Sequence, residues 1–337
     1  MIASHKIPFS RIPSAIAVLS TLALAGCAGA PTMVAPASDN AAMVSNLFMI
    51  LFAIAVVVFV VVEFLLFYSV IHFRRKATDE LPRQIHGNTK FEIAWTAAPA
   101  IVLAVVFVLT WQTLSALATT PADALKITVT GHQWWWEVAY PDLGITTANE
   151  IHLPVGKAVA FTLESKDVIH SFWVPELAGK TDLIPGHTNH MWIRPTQIGS
   201  YHGQCAEFCG TSHANMRFEV IVQSQADYDA WVAQQQQPAA SPQTDLQKQG
   251  AQIITTAGCQ ACHSINGVSA MVGKVGPNLT HVASRQQIAG GILDFNADNL
   301  HTWIGNPPGV KPGAIMPKLP LTSDQLDAIV AYLTSLK

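Results

Sequence analysis

The stretch Tyr201-His-Gly-Gln-Cys205-Ala-Glu207-Phe-Cys209-Gly-Thr-Ser-His213-Ala-Asn-Met216 gathers two thiols, an imidazole and a thioether in the short run from Cys205 to Met216. Sulfur and imidazole are soft ligands that suit copper. A single-copper electron-transfer site takes one Cys, one His and a Met, plus a second His from an earlier strand. His170, in Asp167-Val-Ile-His170-Ser-Phe-Trp173, supplies such an upstream imidazole. Here there are two Cys, and two thiolates four residues apart can bridge two copper ions that share one electron. A shared charge asks for little geometric change on transfer. Three other readings compete: one face of a helix, a disulfide in an exported protein, and a zinc site of two Cys and two His. Gly203 and Gly210 favour a loop over a helix, and the disulfide or zinc reading leaves Met216 and His170 idle.

Around this loop the chain reads as β-structure. Lys126–Thr130, Ala158–Leu163 and Arg217–Val222 alternate or run β-branched, with Gly and Pro between them, so a β-sandwich or barrel of about 100 residues is expected. Upstream the composition turns apolar. A nearly unbroken apolar run from Asn46 to Phe73 gives about 42 Å of helix, enough for a tilted membrane crossing. A second runs from about Ile93 to Leu117. Arg74, Arg75, Lys76, Arg83 and Lys90 lie between them, and a positive loop between two spans stays cytoplasmic. Everything after Ala118 then lies outside the cytoplasm. Glu63, within the first crossing, is costly in lipid and is expected to face a partner helix.

The chain begins with Lys6 and Arg11 ahead of an apolar stretch from Ala15 to Ala25, the pattern of a secretory signal. It ends in Leu24-Ala25-Gly26-Cys27, which resembles a bacterial lipobox with Cys27 as the diacylated mature N-terminus. The other four of the five cysteines fall in two pairs. Downstream of the β-rich segment, AQQQQPAASPQTDLQ reads as a linker by composition. Beyond it, Gly258-Cys259-Gln-Ala-Cys262-His263 is a CxxCH motif, in which both thiols join haem vinyl groups and the histidine takes one axial iron position. Met316, in Pro312-Gly-Ala-Ile-Met316-Pro317, is far enough downstream to reach the opposite haem face as sixth ligand. Met271 follows His263 too closely for that role. Helical ends are expected over Gln247–Thr256 and Ser323–Leu336, around a Gly/Pro-rich middle.

The runs Gly131-His-Gln-Trp134-Trp-Trp136, DVIHSFWVPELAGKTDLIPG and YHGQCAEFCGTSHANM resemble cytochrome c oxidase subunit II in order and spacing, from the first span to about Gln223. The segment from about Leu246 to Lys337 resembles small class I cytochromes c, including Gly276-Pro277-Asn-Leu, whose proline buttresses the haem histidine. Together they resemble a caa-type haem–copper oxidase subunit. The resemblance implies a cupredoxin-like sandwich and a dinuclear copper (CuA) centre held by His170, Cys205, Cys209, His213, Met216 and the carbonyl of Glu207. It also implies a magnesium shared with subunit I through Glu207, electron entry at Trp134, and proton uptake at Glu92 in Phe91-Glu92-Ile-Ala-Trp95. His187 stands where the family often has Arg.

The expected fold is thus a multidomain membrane protein. Residues 1–26 form a lipoprotein signal, 27–118 the lipidated start and a two-helix transmembrane hairpin, 119–230 the copper domain, 231–246 the linker and 247–337 an all-α cytochrome c domain. Implied partners are subunits I and III, a periplasmic cytochrome or other donor, and lipid of the bacterial inner membrane. A net charge of −3 gives no basic footprint for nucleic acid. Of the rival classes, nitrous oxide reductase adds a large propeller absent here and quinol oxidases lack the copper ligands. A copper-containing nitric oxide reductase and a free-standing membrane-tethered carrier stay open.

Overall fold

The computed structural model describes residues 31–74, 84 and 86–337. The signal segment with Cys27, and Arg75, Lys76 and Arg83 of the polar loop, lie outside the described residues. Helix α1 spans Asp39–His72 and α2 spans Thr89–Ala118; both are long and apolar enough to cross a membrane. Leu, Val, Ile and Phe cover both helices on all sides, as lipid requires.

Helix α1 starts seven residues before the expected Asn46, because its first turns are not membrane-facing. Ser38 caps it by accepting from the Ala41 N–H at 2.9 Å, and Asn40, Ala41 and Ser45 are buried. Asn40 Oδ1 accepts from the Arg194 N–H at 3.0 Å. A polar start packed on the following domain escapes a hydropathy reading.

That domain is a sandwich of two five-stranded sheets. One has the order β3 (Ile145–Ala148), β2 (Trp135–Tyr140), β1 (Leu125–His132), β5 (Val159–Ser165), β8 (Asn189–Ile193). The other runs β4 (Glu150–Pro154), β10 (Arg217–Gln223), β9 (Gly199–Cys205), β6 (His170–Trp173), β7 (Thr181–Leu183). Alternation sends Val159, Phe161 and Leu163 of β5 inward, and they meet Ile127 and Val129 of β1 in a closed core. At its centre Phe172 and Phe218 stack at 4.7 Å, with Trp136 edge-on to Phe218 at 5.2 Å.

The expected linker is partly structured. Helix α3 (Gln225–Gln235) runs into it. The reason is chemical: glutamine is a good helix former, and its amide can bond across a junction. Gln235 is buried and its amide donates to Ser284 Oγ at 3.3 Å. The Gln236 amide donates to Leu143 O at 3.0 Å, and Gln237 O lies 3.0 Å from His281 Nε2. Gln235 to Gln237 are thus fastened to both flanking domains.

The C-terminal domain is helical. Capping boxes at Thr244/Gln247 and Thr322/Gln325 start α4 (Asp245–Thr256) and α7 (Ser323–Leu333), which pack together. Between them lie a two-strand pair, β11 (Gln287–Ile288) and β12 (Leu293–Asp294), and the helices α5 (Ala297–Gly305) and α6 (Pro307–Val310). Helix α5, capped by Asn296, occupies the middle that composition describes only as Gly/Pro-rich.

Candidate functional site

Strand register assembles the first cluster. Antiparallel β6 and β9 pair Phe172 with Cys205, which sets His170 at the start of β6 beside the end of β9. The chain then loops through Cys209 and a short 3-10 turn at His213–Asn215 before Met216 and β10. A backbone bond from Cys205 N–H to Met216 O, 3.0 Å, closes the loop. The run is therefore a strand end and a loop, not a helix face.

The two sulfurs of Cys205 and Cys209 are 3.7 Å apart, far beyond a bonded pair at about 2.05 Å, and both thiols are free. His170 Nδ1 lies 3.9 Å from Cys205 Sγ, and His213 Nδ1 lies 3.6 Å from Cys209 Sγ. Met216 Sδ is 3.8 Å from Cys209 Sγ, and the Glu207 carbonyl oxygen is 3.2 Å from Cys205 Sγ. A sulfur pair flanked by one imidazole on each side, with a thioether and a carbonyl at its two ends, matches a two-copper donor set. The Glu207 side chain is exposed.

Without metal the two thiols share one proton. Cys209, then His170 and the Glu207 and Ser171 backbone, bring the Cys205 thiol down to about 3, while burial opposes the drop. The same shared proton, with burial, raises Cys209. Burial works against protonation of His170, but its bonds to Cys205 and Asp167 outweigh it and raise its pKa. The His170 Nε2–H donates to Asp167 Oδ1 at 2.7 Å, fixing the ring so that Nδ1 faces sulfur.

The second cluster surrounds a cavity of about 220 Å³ lined by Cys259, Cys262, His263 and Met316 with apolar side chains such as Ile254 and Leu300. The His263 Nδ1–H donates to Pro277 O at 2.7 Å, which leaves Nε2 free. Burial, helped by Arg285 and opposed by Pro277, lowers the pKa of this ring, favouring the neutral ligand form. A Cβ on Gly276 would come within 2.7 Å of the ring, so only glycine lets the 276–277 backbone lie flat on it. Met271 is a buried packing residue.

Trp134 lies between the two clusters. Its Nε1–H donates to Cys209 O at 3.0 Å, and the residue also lines the cavity. It is 8% exposed, so the cytochrome domain, not solvent, covers it. Glu92 sits in the first turn of α2, about 40 Å along that helix from Ala118.

Three comparisons bear on this arrangement. Residues 29–112 match the model of the cytochrome c oxidase subunit II transmembrane domain, 144–224 that of its periplasmic domain, and 247–337 that of cytochrome c. A cytochrome c oxidase subunit 2 of Alkalihalophilus pseudofirmus is 38% identical, covering 94% of this chain and 94% of its own. The chain belongs to the cytochrome c oxidase subunit 2 family. A Bacillus subtilis subunit 2 is 33% identical over 95% of this chain and 96% of its own. The periplasmic domain of subunit II from Bradyrhizobium japonicum is 32% identical, covering 35% of this chain and 96% of that structure, with a TM-score of 0.34.

As a subunit 2, the chain is a component of a haem–copper oxidase, an oxidoreductase, and a membrane protein with periplasmic domains. Membership implies association with subunit I and a cytochrome c donor; the periplasmic subunit II domain supports copper and the cytochrome c domain supports haem c. Sequence reading missed Asp167 as the partner of His170, although its place three residues upstream was a signal. It also missed Lys311 and Glu150, whose roles depend on contacts between domains. Glu150 is buried and accepts from the Gln287 N–H at 3.2 Å and from Gln286 N–H.

Proposed function

We propose that this subunit is the electron-entry arm of a proton-pumping oxidase. The observation that carries the reading is Trp134, whose indole N–H bonds the carbonyl of one sulfur ligand and which is itself among the residues lining the cavity of the other cluster. His170, Cys205, Cys209, His213, Met216 and the Glu207 carbonyl would hold two coppers, and Cys259, Cys262, His263 and Met316 would hold a haem; both groups would supply reversible one-electron chemistry. Electrons from the donor are thereby delivered to subunit I, where oxygen becomes water. The protein's part is to hold these ligands before the metal arrives and to keep water from the junction. Asp167 orients His170, and Pro277 holds the His263 proton away from the iron side.

Glu92 serves proton uptake from the cytoplasmic edge, a reading supported by its place at the start of α2. Glu207, with an exposed carboxylate beside the copper loop, contributes to a magnesium shared with subunit I. Cys27 carries the lipid, and subunit III and inner-membrane lipid complete the surroundings. Composition of the purified oxidase tests the metal, lipid and subunit assignments together. Two coppers and one haem c per chain, one magnesium, a diacylated N-terminal cysteine and subunits I and III are expected. One copper per chain, or zinc in its place, overturns the dinuclear reading, and isolation without subunit I overturns the oxidase role.

A further inference from the structure

Lys311 follows α6 and opens the loop to Met316, and it is only 4% exposed. Lysine is almost never fully buried without partners. Its partners here are two carbonyls, one from each domain: Nζ donates to Trp134 O at 2.6 Å and to Ala289 O at 2.8 Å. Burial pushes this ammonium down to about 7, with Cys209 pulling weakly the other way. Burial makes the charged form costly here, and two carbonyls, one from each domain, receive its N–H groups.

The surrounding backbone is shaped to this contact. Ala289, Gly290 and Gly291 have φ of 56°, 76° and 79° in succession. A Cβ on Gly290 would lie 2.3 Å from Lys311 Nζ and 2.9 Å from Trp134 O, so the turn must carry glycine there. Gly290 O accepts from the Arg217 N–H of the copper domain at 2.9 Å, and Ser212 Oγ donates to Pro312 O at 2.5 Å. The ammonium is thus ringed by bonds that cross between the domains.

We propose that Lys311 is a positioning residue for electron transfer between the two redox sites. By holding the Trp134 carbonyl it fixes the indole between Cys209 and the haem cavity, and it clamps the cytochrome domain onto the copper domain. The proposal rests on reading Trp134 as the junction between those sites. The step it serves balances as one electron: the haem iron is oxidised, the copper pair is reduced and Lys311 is unchanged.

The test uses the whole oxidase carrying K311M, which keeps an apolar stem and removes the donor. Haem c oxidation by the copper site, followed after rapid reduction, is expected to slow at least about tenfold, since small misplacements of redox or reacting groups are costly. Copper and haem absorption should not change. Amide exchange at Arg217 should speed at least about tenfold, the factor that follows from losing a charge-assisted bond. The Trp134 indole N–H vibration, identified by its loss in W134F, should shift. G290A reaches the same contact from the other side, and the same three changes are expected if K311M does not assemble. Unchanged transfer in K311M or G290A, with W134F slowed, overturns the positioning role and keeps the Trp134 junction. Unchanged transfer in W134F overturns the junction itself. An unmoved indole vibration with faster exchange leaves Lys311 a clamp only and overturns its action on Trp134.

Discussion

The proposed copper ligands stand at the rim of a closed core, whereas the proposed haem ligands line a cavity in the middle of theirs. In the sandwich, Trp136, Phe161, Phe172 and Phe218 pack to 1% exposure or less, and Cys205, Cys209 and Met216 join the edge of that cluster. In the cytochrome domain, Ile254, Leu300, Ile304, Ile329 and Leu333 belong both to the core and to the cavity wall. The difference is one of dependence. A loop held by strand register keeps its shape without metal, but a core built around a cofactor has no interior without it.

The largest effect should therefore come from C259S/C262S. Without covalent haem, residues 247–337 should lose most of their amide protection, while the copper site keeps its mixed-valence spectrum. Full protection of α4 and α7 in that variant would break the contrast. A smaller effect is expected from C205S/C209S. The copper signal should vanish, yet the thermal midpoint of the sandwich should fall by no more than about 10 °C, the shift that goes with about 1–2 kcal/mol. Collapse of the sandwich would mean that copper is part of its core after all. The smallest effect on either domain should come from E92Q, at the far end of α2. Both spectra should stay as they were while oxidase turnover drops severalfold, and unaltered turnover would remove Glu92 from proton uptake.

Most of each proposed ligand set stands in a short, chemically dense run, whereas His170 and Met316 join from 35 positions before Cys205 and 53 after His263. The spacing from Cys205 to Met216 and the CxxCH at Cys259 need no knowledge of distant residues. The two crossings were legible for the same reason, since hydropathy is local. The junction between domains was not. Lys311 looks in sequence like any surface lysine, and its partner is a backbone carbonyl 177 positions away. The glutamine run looks like a loose tether, because composition reports solubility and is silent about which carbonyl each amide will meet. Trp134 could be singled out, but its burial could not, since the residues covering it come from the other domain.

The early start of α1 has a mechanical consequence. Asp39 N–H donates to Arg194 O at 3.1 Å, just beyond β8, and the Trp192 indole N–H within β8 donates to Leu117 O at 2.9 Å near the end of α2. One strand thus grips the head of one membrane helix and the foot of the other. A helix gripped at its first turn transmits rotation: one residue added after Ser45 turns everything beyond it by about 100° and shifts it by about 1.5 Å. Glu63 would then swing off its half-buried face. The hairpin is phase-locked to the sandwich, so the azimuth of the copper loop over the membrane is set by helical pitch, residue by residue, rather than by a hinge.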